Sequence, residues 1–184
     1  MPAPTRGRPP DPDRRQRTLE RATAYVLDHG LDGLSLRPLA TALDTSTRML
    51  LYDFGSKDQL VRAILDTARL QNVALVTQSY AVNRSPAEAL EAWWNHMTHP
   101  DRRAWVRLLL QIRAEVLLGR MDPGILGAWT APYRRLLHDM AAPESDLRLV
   151  TATMIGLLEE RQITGSDAEA RAAFRRFLTI IRCS

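Results

Sequence analysis

Residues 33–60 read GLSLRPLATALDTSTRMLLYDFGSKDQL, and the fold turns on how this stretch divides. Ser35 stands where it can cap a helix whose third position is Pro38, a place where a missing backbone N–H forfeits no intrahelical bond. That helix is short, ending near Leu43, and a turn at Asp44-Thr45 leads into a second short helix from about Ser46 to Tyr52. Two short helices across so tight a turn have helix-turn-helix spacing. The second helix opens with Ser46, Thr47 and Arg48, small polar and cationic groups suited to base edges or phosphates in a major groove. Any small helical bundle can contain such a turn, so the surrounding sequence has to discriminate.

Outward from this segment, no stretch alternates as a strand does, whereas apolar residues recur at three- and four-residue steps through most of the chain. The class is all-α, with about nine helices. Asp11-Pro12 opens a first helix with Leu19, Ala22 and Val26 on one face, and Gly30 stops it. Ser56 to Gln59, Ser85 to Glu88 and Ser166 to Glu169 each have the spacing of a capping box. Asp101 and Asp122-Pro123 suggest two further starts, and Pro143 separates a helix ending near Met140 from one beginning near Glu144. The expected organisation is a basic arm at 1–12, a helix-turn-helix domain at 13–56 and a larger helical domain at 57–184.

Composition removes several classes. The chain has 184 residues, 45% apolar and 25% charged, which favours neither disorder nor membrane insertion. No apolar run approaches the roughly 18–20 residues of a spanning helix, and none follows MPAPTRGRPP to act as a signal peptide, so a cytoplasmic, membrane-free protein is expected. The single cysteine, Cys183, allows neither an intrachain disulfide nor a Cys-based metal site. His96 and His99 have a metal-compatible spacing but no evident third ligand, and His99-Pro100 lies where a helix should end; both read as terminal polar residues. No nucleophile–base pair, Gly-rich phosphate loop or metal set stands out, so neither an enzyme nor a cofactor is expected. The net charge is +4, and residues 1–21 hold Arg6, Arg8, Arg14, Arg15, Arg17 and Arg21 against three acids. This is either a footprint for a polyanion or a solvated flexible tail.

From about residue 72 onward tryptophan and methionine are dense. Trp94, Met97, Trp105, Trp129 and Met154, with Trp93 beside them, either fill a helical core or line a shared cavity for an apolar ligand. Arg113 falls on the stripe Val106, Leu110, Arg113, Leu117, which points it inward toward either a carboxylate such as Glu159 or a ligand's anionic or carbonyl oxygen. The last two helices carry Leu147, Val150, Met154 and Leu157, then Phe174, Phe177, Leu178 and Ile181.

Residues 13–65 resemble the TetR family of transcription regulators: a serine precedes a helix ending in an alanine-containing turn, then come a short recognition helix, an aromatic-rich end and Phe54-Gly55-Ser56-Lys57. The resemblance implies Thr47 and Arg48 as base readers and Ser35, Tyr52 and Lys57 as phosphate contacts, with Ser46 beside them. Lys57 suits the role, because a cation in the first turn of a Ser56-capped helix adds charge to a partly positive end. Tyr52 and Phe54 have the alternative of filling the small domain's core. Two positions depart from the pattern: Asp44 stands where the family has a turn glycine, and Leu51 where it has a phosphate-binding tyrosine. Arg6-Gly7-Arg8-Pro9 resembles the AT-hook core that enters a narrow minor groove; a nonspecific electrostatic tail is the other reading. The resemblance further implies a homodimer formed through the last two helices, a palindromic double-stranded operator, a fourth helix at about 57–80 connecting the domains, and a repressor released by a small-molecule inducer. The alternative is a DNA-binding regulator without a small-molecule ligand, its second domain serving only dimerisation or protein binding.

Overall fold

Nine α-helices, one turn of 3-10 helix and no strand are found among the described residues. The computed structural model describes residues 12–31, 34–80, 85–139 and 144–182, with side chains at 13–31, 34–73, 85, 87–131 and 147–181. In order the helices are α1 (Pro12–His29), α2 (Leu36–Ala42), α3 (Thr47–Phe54), α4 (Lys57–Tyr80), α5 (Pro86–Thr98), α6 (Arg103–Leu117), α7 (Gly124–Asp139), α8 (Glu144–Thr164) and α9 (Asp167–Arg182), with the 3-10 turn at Pro100–Arg102.

The boundaries follow from local chemistry. Gly30, at φ 80°, ends α1 by donating its N–H to Val26 O. All three Ser-x-x-Glu/Gln starts form: Ser56, Ser85 and Ser166 accept from the N–H groups of Gln59, Glu88 and Glu169. Asp122 Oδ1 likewise accepts from Gly124 N at 2.6 Å and opens α7. Each cap satisfies one of the four N–H groups that a helix start leaves without a partner. Ser35 differs from expectation, since it stands at the N-cap of α2 but its hydroxyl makes no capping bond.

The chain divides into two compact units, Met1–Ala68 and Arg69–Ser184, and the division falls inside α4. In the first unit Leu19, Ala22 and Val26 of α1 are buried, as are Leu39 of α2 and Leu50 and Phe54 of α3. Leu60, Ile64, Leu65 and Ala68 extend this core along the first half of α4 at the helical step.

In the second unit α8 packs against α5, α6, α7 and α9. Trp94 of α5 stacks on Phe174 of α9 with centroids 4.7 Å apart, and Trp105 of α6 stacks on Trp129 of α7 at 5.1 Å. Arg161, near the end of α8, is buried; its Nε donates to Asp167 in the first turn of α9 and its Nη2 donates to Thr98 O at 3.0 Å, joining three helices at one side chain.

The inward face of α6 corrects the sequence expectation. Trp105, Leu108, Leu109 and Ile112 are buried at steps of three and four, while Leu117 is 85% exposed, so Arg113 flanks the core. It is half-buried and forms no hydrogen bond or ion pair among the described residues, and Glu159 is exposed, so of the two alternatives read for Arg113 the Glu159 pair does not form. On α8 and α9 the apolar residues read from the sequence are chiefly an intramolecular core: Leu147, Val150, Met154, Phe174, Phe177 and Leu178 are all buried. The opposite faces expose Leu149, Ile163 and Ile180.

Candidate functional site

The turn from α2 to α3 is built on Asp44, whose φ of 54° makes it the one non-glycine residue in the left-handed region among the described residues. An L-residue is disfavoured there, yet Asp adopts the conformation more readily than most because its short side chain can bond locally. The turn closes through Asp44 N to Thr41 O at 3.2 Å and Thr45 N to Ala40 O at 2.9 Å. Buried Leu39, Ala40, Leu43 and Leu50 fix the two helices on one side, so a polar face of α3 is presented outward.

That face begins at Ser46, an N-cap whose Oγ accepts from Met49 N at 3.1 Å. The cap engages one lone pair and leaves the hydroxyl proton available to an outside acceptor. Thr47, the first residue of α3, is half-buried; Arg48 beside it is exposed and has no partner among the described residues. Tyr52 is 54% exposed, which rules out the core-filling role for its ring, while Phe54 is buried at 5%. Leu51, in the place of the expected tyrosine, is 39% exposed.

Gly55 ends α3 at φ 81°, where a Cβ would stand 2.0 Å from Gln59 Oε1. Glycine is favoured there by the backbone alone, since the Gln59 amide is the far end of an exposed side chain that can move aside. It brings Lys57 to the first position of α4, exposed and without a partner among the described residues. The exposed hydroxyl of Ser35 likewise makes no hydrogen bond among them. Arg37, two residues on, is exposed and unpaired among the described residues, and sequence reasoning did not single it out. The available signal was a cation in the first turn of a helix, the placement that drew attention to Lys57. Arg6 and Arg8 lie outside the described residues.

The basic start of the chain is only partly a surface for a partner. Arg14, Arg15 and Arg21 belong to α1 and not to a flexible tail. Arg14 Nη2 donates to Asp53 Oδ1 at 2.5 Å, Arg15 Nε donates to Asp53 O at 3.0 Å with its guanidinium 4.8 Å from the Phe54 ring centroid, and Arg21 Nη2 donates to Ala42 O at 3.3 Å. They bind α1 to the ends of α3 and α2.

The second candidate region lies within the unit from Arg69 to Ser184. Trp94, Met97, Trp105, Trp129 and Met154 are all buried, and of these the structure brings Trp105 and Trp129 into direct stacking. Among the described residues the indole N–H groups of Trp94 and Trp129 find no acceptor and neither His96 Nε2 nor Gln162 Nε2 finds a partner, though all four atoms are buried. His96 does stand in the last turn of α5, half-buried, and burial, then the charges of Arg102 and His99, lower its pKa below the ordinary 6.5. His99 instead accepts from Asp101 N and opens the 3-10 turn. Among the described residues no three His, Cys, Asp or Glu side chains group as a metal would need.

Residues 19–64 match the family model of bacterial regulatory proteins, tetR family. The chain is 27% identical over 128 residues to the HTH-type transcriptional repressor AcnR of Corynebacterium diphtheriae, covering 68% of this chain and 60% of that one. It is 28% identical over 118 residues to AcnR of Corynebacterium efficiens, covering 63% and 56%. The chain thus spans about three-fifths of the length of the curated relatives it matches. Among solved structures, the multidrug binding protein EbrR complexed with ethidium superposes with a TM-score of 0.74 at 24% identity, over 92% of this chain and 98% of that one. A transcriptional regulator of Streptomyces coelicolor gives 0.73 at 20% identity over 92% and 98%. At these identities the structural likeness concerns the fold.

Proposed function

We propose that this chain, whose residues 19–64 match the family model of bacterial regulatory proteins, tetR family, is a DNA-binding transcriptional repressor and not an enzyme. It acts in the cytoplasm as a homodimer on a palindromic operator and is released by a small-molecule inducer. The observation that carries this reading is the start of α3: an outward helix end anchored from behind by Leu50 and Phe54, with Thr47 and Arg48 at its first two positions and Arg48 unpaired among the described residues. Such an end enters a major groove with its side chains aimed at base edges. Arg48 and Thr47 read bases; Ser35, Ser46, Tyr52 and Lys57 bind phosphates on either side, and the arm carrying Arg6 and Arg8 adds contacts in the minor groove.

Two such helices must be held about one DNA turn apart to read a palindrome. The exposed Leu149, Ile163 and Ile180 of α8 and α9 are the apolar groups available to a second copy. No helix among the described residues is long and apolar enough to cross a membrane, which removes one competing reason for exposed apolar side chains. The inducer occupies the second unit, where the buried indole N–H groups of Trp94 and Trp129 find no acceptor among the described residues and Arg113, Met97, Trp105 and Met154 contribute the surroundings. Release requires the inducer to favour the weakly binding state, since equal affinity for both states shifts nothing.

Selection of bound sequences from a random duplex pool, using the full chain at near-physiological salt, tests the reading. Recovery of a palindrome supports it, and recovery of no motif overturns it. On the selected site, Arg48→Ala costs about 1–3 kcal/mol and relaxes preference at one base position, whereas Lys57→Ala weakens all sequences alike and lowers the salt slope by about 1.

A further inference from the structure

One turn beyond Thr47 and Arg48, α3 turns an apolar side chain outward. Leu51 is 39% exposed, whereas Leu50 and Phe54, which anchor the same helix to the core, are 1% and 5% exposed. The backbone of Leu51 is committed to the fold, since its carbonyl oxygen accepts the Gly55 N–H at the helix end at 2.8 Å. At about 100° per residue, Leu51 lies about 40° around the helix from Thr47 and about 60° from Arg48, between the two. Residues three and four apart on a helix are surface neighbours, and each Cβ leans toward the N-terminus, so Leu51 leans back toward both. A hydroxyl, a guanidinium and a branched hydrocarbon thus form one outward patch.

We propose that Leu51 is a specificity-determining residue that packs on the 5-methyl group of a thymine, one or two base pairs from the base met by Arg48. The inference deepens the DNA-binding reading of α3 and rests on it. Leucine has no donor or acceptor to offer a phosphate, and the thymine methyl is the apolar group that base edges present in a major groove. Any other base there would set a donor or acceptor against the hydrocarbon, without a partner once water is expelled. The spacing follows from the helix: three residues advance about 4.5 Å, against about 3.4 Å per base-pair step. Unlike a phosphate contact, this one releases no counterions, so it adds discrimination without adding salt dependence.

The first arm of the experiment uses the unaltered full-length protein. In the operator recovered by duplex selection, each thymine of one half-site is replaced in turn by deoxyuracil, which keeps the base pairing and removes only the 5-methyl group. Affinity should fall about fourfold, the effect of burying one methyl-sized group, at a thymine within two base pairs of the position whose preference Arg48→Ala relaxes. The second arm repeats the series with Leu51→Ala, with circular dichroism as a control of folding. This variant should bind the intact operator at least about fourfold more weakly. It should keep wild-type affinity for a random-sequence duplex and the wild-type salt slope, and it should no longer respond to deoxyuracil at that thymine.

An operator with no thymine within two base pairs of the Arg48 position, or wild-type binding indifferent to deoxyuracil at every such thymine, overturns the proposal. A response that persists undiminished in folded Leu51→Ala assigns the methyl contact to another residue and also overturns it. Equal weakening of Leu51→Ala on operator and random duplex, with no coupling to the methyl group, places the side chain on the sugar–phosphate backbone and overturns it too. If Leu51→Ala does not fold, Leu51→Gln takes its place, since it keeps the helix preference and removes the hydrocarbon end. Recovery of no motif from the random pool overturns the DNA-binding reading itself, an outcome distinct from a recovered operator that is indifferent to its methyl groups.

Discussion

In the unit ending at Ala68 the polar groups that are buried have partners: the Asp53 carboxylate holds Arg14, and Thr23 Oγ1 donates to Leu19 O at 2.8 Å. In the unit beginning at Arg69 the Trp94 and Trp129 indole nitrogens, His96 Nε2 and Gln162 Nε2 are buried with none among the described residues. The outward groups of the first unit, Arg48 and Lys57, stand in water, where lacking a protein partner costs nothing. A buried polar group left without any partner costs about 1–3 kcal/mol. The contrast distinguishes two ways of awaiting a partner. An exposed cation can wait indefinitely, whereas a buried donor without an acceptor lowers stability until something supplies one.

The strongest way to sharpen this contrast is to enlarge the buried deficit. Arg161 is 6% exposed, and its ion-pair partner Asp167 is 69% exposed at the side chain. Asp167→Ala leaves a buried guanidinium with Thr98 O as its remaining bond and should cost about 3 kcal/mol. Arg161→Met keeps an apolar stem and leaves the carboxylate in water, so it should cost less. Urea midpoints of the two variants check the order, and the reverse order would break the account of Arg161 as the buried member.

In the first unit the corresponding comparison is smaller. Ser46→Ala removes the bond to Met49 N and should cost about 1 kcal/mol, whereas Ser35→Ala removes no capping bond and should leave the urea midpoint nearly unchanged. Equal losses would mean that Ser35 is a structural cap after all.

The smallest effect is one of pH. The His96 pKa is lowered by burial first, then by Arg102 and His99, so the folded chain binds its proton less readily than the unfolded chain does. Stability should therefore be full above about pH 6.5 and decline as pH falls from there toward the lower folded value, since the unfolded state takes up the proton first. Thermal midpoints across this range for wild type and His96→Gln should show the decline in the first and flatten it in the second.

How much of this was legible in sequence differs between the two units for physical reasons. The helix starts were readable because a serine three residues before Glu or Gln is a local device that needs no tertiary knowledge. The turn at Asp44 was readable for the same reason, and its left-handed backbone matches the cost assigned to that residue. The inward face of α6 was not. Trp105, Val106, Leu108, Leu109 and Leu110 are apolar almost without interruption, so two stripes one residue apart look alike until neighbouring helices choose between them. They bury Trp105, Val106 and Ile112 alike, which leaves Arg113 at the edge of the buried face. The clamp of Arg14 and Arg15 on Asp53 was hidden as well, because it joins residues 38 and 39 apart and a cluster of arginines reads by composition as a surface charge. Tyr52 and Phe54 could be assigned to surface and core only once the direction of α3 was known.

Lys57 is the one lysine of the sequence, and it stands exposed at the first residue of α4. An amine-selective acylating reagent therefore finds a single side chain to modify, at the proposed phosphate contact itself. The chain carries a built-in footprinting reporter: the yield of one modified peptide, with and without duplex, measures occupancy of that contact without any engineered label.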